Sequence, residues 1–152
     1  MPQSYRIDTD YIAELIGNTN IRVAEPMSLH TTFRIGGIAD VFVTPSSAKA
    51  LLELMKYILK QGIPYFVIGK GSNLIITDKG FRGIVISNKK LSRITYKGRF
   101  VNVGSGTSLK TISEATARHN LSGLEFVCGI PGSVGGAVYM NSGAYEMEIS
   151  KV

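Results

Sequence analysis

The sequence predicts a mixed α+β fold built as two small lobes that share a core. Three observations predict it. A strand, an amphipathic helix and another strand follow one another between residues 38 and 68. Short strands separated by turn residues then occupy positions 83–104, and a second helix and a glycine-rich stretch come after them. That order is not the uniform alternation of a parallel α/β protein. At 152 residues the chain suits one domain or two such lobes, and 44% hydrophobic with 18% charged residues excludes a disordered chain.

The elements follow in order. Ile12, Leu15 and Ile16 with Gly17 behind them predict a short helix near residues 10–17. "IADVFVTP" alternates and ends in proline, as a strand does. "SSAKALLELMKYILKQG" is the clearest helix: serines precede it, Gly62 closes it, and Leu51, Leu52, Met55, Ile58 and Leu59 are expected on its buried face. "PYFVI" reads as a short buried strand that leads into the loop "GKGSN" and a further apolar strand, "LII". "GIVIS", "RITYK" and "RFVNVG" are strands set apart by Asp78-Lys79-Gly80 and Lys97-Gly98. A second helix is expected over 108–119, with Asn120 as its cap.

Several function classes recede on composition. No apolar run reaches the length of a membrane span, and "MPQSYRIDTD" lacks the apolar core of a signal peptide, so a cytoplasmic protein without membrane partners is expected. The single cysteine, Cys128, excludes an internal disulfide and is expected as a buried thiol; two histidines make a His/Cys metal site improbable. A net charge of +6 invites nucleic acid, but the lysines and arginines are scattered rather than striped, so small anions are the better expectation.

Two loops test as phosphate binders. "IGKGSNLII" is no Walker loop, because Lys70 precedes Gly71 and no helix follows. Its glycines, hydroxyl and amide suit either an anion loop or a polar turn between strands, with Lys70 expected to face solvent. "VNVGSGTSLKTIS" imitates a dinucleotide fingerprint and fails at its third glycine, where Leu109 stands. The stretch from Cys128 to Tyr145 holds five glycines and few long polar side chains. Ile130, Val134, Val138, Tyr139 and Met140 rule out a flexible linker. Two readings stay open there: main-chain amides facing an anion, or a small-residue helix packed closely on a sheet.

Together, "TTFRIGGIADVFVTP", "VIGKGSNLII" and "GLEFVCGIPGSVGGAVYMNSGAY" resemble the UDP-N-acetylenolpyruvoylglucosamine reductase (UDP-N-acetylmuramate dehydrogenase) family over about residues 25–145. The third motif is the distinctive one. The resemblance implies a two-lobed FAD-binding domain of the vanillyl-alcohol oxidase / p-cresol methylhydroxylase type. It implies a helical lead-in over 1–24, a first lobe over 25–96 and a second over 97–152, with the substrate domain absent. Non-covalent FAD would be the cofactor, NADPH the co-substrate and a UDP-sugar the substrate, in bacterial cell-wall precursor synthesis. Gly69, Lys70, Gly71, Ser72, Asn73 and Leu74 would line the pyrophosphate. Ile130, Gly132, Ser133, Gly135 and Gly136, with Asn141, Gly143 and Ala144, would line the flavin side. Tyr139, Met140 and Cys128 are expected in the core, and Arg34 is unassigned. The family carries its catalytic arginine, serine and glutamate in later segments without counterpart before Val152, so no catalytic residue is expected in these 152 residues and no turnover from them alone. Glu146 stands where the family usually has glycine.

Overall fold

The computed structural model describes residues 5–152. Helix α1 (Thr9–Ile16) begins where the Asp8 carboxylate accepts the Tyr11 N–H at 3.0 Å, and it ends at Gly17, whose φ of 88° few other residues tolerate. Strand β1 (Ile21–Pro26) follows and was not foreseen, since "IRVAEP" neither alternates cleanly nor lacks proline. It runs antiparallel to β2 (Ile38–Val43), pairing Ile21 with Val43 and Pro26 with Ile38. Proline is tolerated at that edge because β1 lies outermost in the sheet. Helix α2 (Ala48–Gln61) is capped by Ser47, whose hydroxyl accepts the Ala50 N–H, and closes on Gly62 in the left-handed conformation.

Strands β3 (Tyr65–Ile68) and β4 (Phe81–Ser87) complete the sheet in the order β1-β2-β4-β3, with β2, β4 and β3 parallel. A bulge between Ala39 and Val41 is filled by Asp40, which accepts the Gly83 N–H at 2.9 Å and pairs with Arg82 at 2.6 Å. The period of two along β2 and β4 sorts the core. Val41, Val43, Ile84 and Ile86 face Ile12, Ile16, Leu54, Ile58 and Ile63 on one side. Phe42 and Val85 join Met27, Ala39 and Ile68 on the other. The central strands are thus buried on both faces, as parallel strands usually are.

The second lobe is smaller. Strands β5 (Ile94–Lys97) and β6 (Phe100–Val103) form a hairpin turning at Gly98, and α3 (Leu109–Arg118) is capped by Ser108. A short helix, α4 (Val134–Met140), and a small ladder of β7 (Gly143–Ala144) with β8 (Met147–Glu148) follow. Leu109, Ile112, Phe126, Val127 and Ala137 make its core.

Four expectations need correction. Leu74–Ile76 is irregular rather than a strand; Leu74 and Ile76 still pack against the first lobe. Strand β3 is an edge, with Tyr65, Phe66 and Val67 exposed, because only β4 flanks it. On α2 the buried stripe is centred on Leu54 and Ile58, while Leu52 and Leu59 are exposed. Leu51, Met55 and Ile58 do pack on the core as expected, but Leu54 was missed and Leu52 and Leu59 were wrongly included, since four leucines on one helix fit more than one stripe. Cys128, Tyr139 and Met140 are exposed, not core. In addition, β1 spans the 24/25 division and the β5–β6 hairpin spans the 96/97 division.

The packing sets a clear contrast on one helix. Leu54→Ala should cost about 2–5 kcal/mol in urea unfolding, because Leu54 is fully buried. Leu52→Ala, at 55% exposure, should stay within about 0.5 kcal/mol. Equal losses at the two positions would overturn this placement of α2.

Candidate functional site

Parallel strands gather their functional loops at their carboxyl ends. Here β3 ends at Ile68 and β4 at Ser87, and the segments leaving both ends meet the second lobe. Gly69, directly after β3, stands so close to Ser133 that a Cβ there would fall on the Ser133 hydroxyl. A Cβ at Gly132 would lie 3.8 Å from the Ser72 Oγ. The two glycine segments singled out in the sequence therefore converge, one from each lobe.

The first segment is a row of donors. None of the N–H groups of Lys70, Gly71, Ser72 and Asn73 donates to a backbone carbonyl among the described residues. Gly71 has φ 68° and packs its Cα on the His30 carbonyl, and the Thr32 N–H holds the Gly71 carbonyl at 3.0 Å. Consecutive unpaired amides around a left-handed residue form the type of concavity that binds anions. An open cleft of about 420 Å³, lined by Ser28, Leu29, Thr31 and Arg34, borders this loop through Thr31. Lys70 and Asn73 are exposed, and Leu74 is packed inward.

The second segment is only partly free. The Val134 N–H donates to the Thr107 carbonyl and the Gly135 N–H to the Ser105 carbonyl, both at 2.8 Å. The Gly136 N–H is taken by the Ser133 hydroxyl at 3.4 Å. The amides of Gly132 and Ser133 have no backbone acceptor among the described residues. Gly135 is glycine because Ser105 leaves no room for a Cβ, whereas Gly129 is open and a Cβ at Gly136 would make only an ordinary contact with Ser133 Oγ at 3.4 Å. The glycine stretch is thus tightly packed at Gly135 and carries free amides at Gly132 and Ser133. Ile130 packs on the second core.

Asn141, Gly143 and Ala144 are not brought to the same place. They lie past the other end of α4, roughly 10 Å along its axis. Asn141, left-handed at φ 45°, donates from Nδ2 to Glu148 and accepts the Ser150 N–H, each at 3.0 Å. Gly143 and Ala144 pair with Glu148 and Met147. Tyr145 and Glu146, both with positive φ, make the two-residue turn between them.

Residues outside the expected set also gather at the junction. Ser87 Oγ, Asn88 Oδ1 and Thr107 Oγ1 are buried without a hydrogen-bond partner among the described residues. The Asn88 N–H holds the Ile68 carbonyl at 3.0 Å, and Gly106 sits against the Asn88 carbonyl. Buried polar atoms rarely stay unpaired, so these oxygens mark a place where water or a polar ligand completes the structure. Nothing local in the sequence separates them from ordinary strand-end residues. The free amides, with the hydroxyls of Ser87 and Thr107, are donors of the kind an anion takes.

Residues 39–151 match the FAD binding domain family. The chain is 45% identical over 141 residues to the UDP-N-acetylenolpyruvoylglucosamine reductase of Clostridium perfringens, which covers 93% of this chain and 46% of that protein. The chain therefore spans under half the length of that curated relative. The crystal structure of UDP-N-acetylenolpyruvylglucosamine reductase from Thermus caldophilus superposes with a TM-score of 0.68 at 36% identity, over 84% of this chain and 45% of that one. p-Cresol methylhydroxylase shares the fold at a TM-score of 0.55 and 16% identity, over 74% of this chain and 24% of that one. The fold is the α+β FAD-binding type expected from the sequence.

Two predictions follow from this geometry. Gly69→Ala should destabilise the protein by about 1–3 kcal/mol, and Ser133→Gly should recover at least half of that in the double variant. Strict additivity of the two changes would mean that the loops do not touch. Glu146→Gly should raise stability by about 1 kcal/mol, since Glu146 holds φ 64°; an unchanged melting curve would contradict the turn.

Proposed function

The chain belongs to the FAD binding domain family, and on that premise we propose that it is the cofactor-holding part of an NADPH-dependent oxidoreductase that reduces UDP-N-acetylglucosamine enolpyruvate to UDP-N-acetylmuramate. The observation that carries the reading is the convergence of the unpaired amides of residues 70–73 with those of Gly132 and Ser133. The high identity to reductases of that name supports the choice of reaction. The pathway is then peptidoglycan precursor synthesis, and the protein a cytoplasmic one.

In this proposal FAD is held non-covalently between a first lobe over residues 5–87 and a second over 94–152. Its diphosphate takes the amides of Lys70, Gly71, Ser72 and Asn73, with Gly69 and Leu74 shaping the loop. Gly132 and Ser133 close over it from the second lobe, and Ile130, Gly135 and Gly136 supply a wall without long side chains. Asn141, Gly143 and Ala144, at the far end of α4, serve the flavin end of an extended ligand. When bound, FAD supplies the hydride transfer between NADPH and the enolpyruvyl double bond. This chain's residues orient that cofactor through fixed main-chain dipoles, which need no reorganisation on binding. No residue of this chain is assigned to proton delivery; its part in the proposal is to bind and orient FAD.

The test is an FAD titration followed by flavin fluorescence. The wild-type chain should bind and release its colour on acid precipitation. Ser72→Asp should weaken binding at least tenfold, because it sets a carboxylate among amides that face a diphosphate. Absence of FAD uptake would sink the proposal. Flavin that stays with the precipitated protein would instead favour a covalent link through the exposed Cys128.

A further inference from the structure

We infer that the buried Glu25–His30 pair positions the phosphate-facing amides of the 69–74 loop, an inference that rests on the FAD reading above. Glu25 lies near the end of β1, and its residue is 8% exposed. Its carboxylate Oε1 is 2.8 Å from His30 Nε2. The imidazole also lies flat on Phe42, with ring centroids 3.9 Å apart and planes 18° from parallel. Phe42 is part of the core face beneath the loop. The ring is therefore clamped on one side by a hydrogen bond to a buried carboxylate and on the other by a fixed aromatic.

What the clamp fixes is main chain. His30 closes the short 3₁₀ turn Met27–Leu29, its N–H donating to the Met27 carbonyl at 2.9 Å. Its own carbonyl and the Thr31 Cα abut Gly71 so closely that no Cβ fits there. Two residues on, the Thr32 N–H holds the Gly71 carbonyl at 3.0 Å. The described peptide bonds are all trans, and in a trans peptide the carbonyl and the following N–H point in opposite directions. Holding the Gly71 carbonyl down on Thr32 therefore turns the Ser72 N–H away from that floor, toward the open side of the loop. The aim of the Ser72 donor thus traces back through residues 30–32 and the imidazole to Glu25.

A merely structural pair would stabilise β1 and leave the loop unaffected. Charge gives a second contrast: a buried carboxylate near a diphosphate is repulsive, so removing it for electrostatic reasons alone would tighten FAD binding. Positioning predicts the reverse sign for Glu25→Ala and little change for Glu25→Gln, whose side-chain carbonyl still accepts the Nε2–H.

The experiment uses the 152-residue chain. FAD affinity is measured by fluorescence titration, and amide exchange at Thr32, Gly71 and Ser72 is followed by NMR without FAD. Glu25→Ala should weaken FAD binding about tenfold, the scale of a lost hydrogen bond to a charged group. It should also speed Thr32 amide exchange and shift the Ser72 signal, while Glu25→Gln stays within about threefold of wild type and keeps both signals. Tighter or unchanged binding in Glu25→Ala, or a Glu25→Gln variant as weak as Glu25→Ala, overturns the inference. If Glu25→Ala does not fold, the wild-type protein still decides: Thr32 must be protected and Ser72 must exchange freely, and equal exchange at the two overturns it. If the wild-type chain takes up no FAD, the functional reading fails, while the exchange measurements judge the positioning separately.

Discussion

The structure depends on one close approach, that of Gly69 to Ser133. A main chain of one lobe meets the short Ser133 side chain of the other there, with no room for a second side chain between them. The first arrives as the carboxyl end of β3, a parallel strand whose loop must leave the sheet at that edge. The second arrives as the cap of α4, where the Ser133 hydroxyl already serves the Gly136 N–H. Neither can withdraw without loss: moving Ser133 uncaps a helix, and moving Gly69 unpairs the end of a strand. Around that contact the remaining amides and the orphan oxygens of Ser87, Asn88 and Thr107 are brought into one neighbourhood. The site is thus a product of lobe contact, not of either lobe alone.

The contact also separates two reasons for glycine that look identical in a sequence. Gly69, Gly71 and Gly135 are glycine because the protein's own atoms occupy the space of a Cβ. Gly129 has nothing near its Cβ position and Gly136 only the Ser133 hydroxyl at an ordinary 3.4 Å, so both leave room for whatever approaches from outside. A glycine-rich stretch is then neither wholly a cradle nor wholly a packing device. The internal glycines let the two segments converge, and convergence is what gives the open ones and the free amides a common target.

How much of this was legible in the sequence follows the range of the interactions. Helices α1, α2 and α3 were readable because their signals are local: apolar spacing in each, the serines before α2, and the closing residues Gly17 and Gly62. Strands β2, β4, β5 and β6 were readable from alternation and turns. β1 was not, because its place depends on pairing with β2 across an intervening loop. Nor was the exposure of β3, which is set by having one neighbour instead of two. Exposed Tyr139 and Met140 were misread as core because an apolar side chain carries no label for the face it occupies. At the site, motif resemblance pointed to both converging segments. It gave no hint of Ser87, Asn88 and Thr107, whose significance is an unpaired atom in three dimensions, or of the in-chain partners that occupy Asn141.

On the proposed FAD reading, the net charge of +6 serves a different end from that of a nucleic-acid surface. A nucleic-acid surface recognises phosphate with lysine and arginine side chains, so its affinity follows their number and falls steeply with salt. Here the lysine within the 69–74 loop, Lys70, is exposed, while the converging donors are main-chain N–H groups held by the fold. Main-chain donors are indifferent to which side chain they carry and sensitive to whether the backbone can reach its place. Recognition of that kind tolerates change at Lys70 and resists it at Gly69 and Gly71, where a single methyl group would collide with Ser133 or His30. The specificity of the site is therefore written in residues that have almost no chemistry of their own. On that reading the scattered basic residues take a weaker, long-range role in drawing an anion toward the cleft.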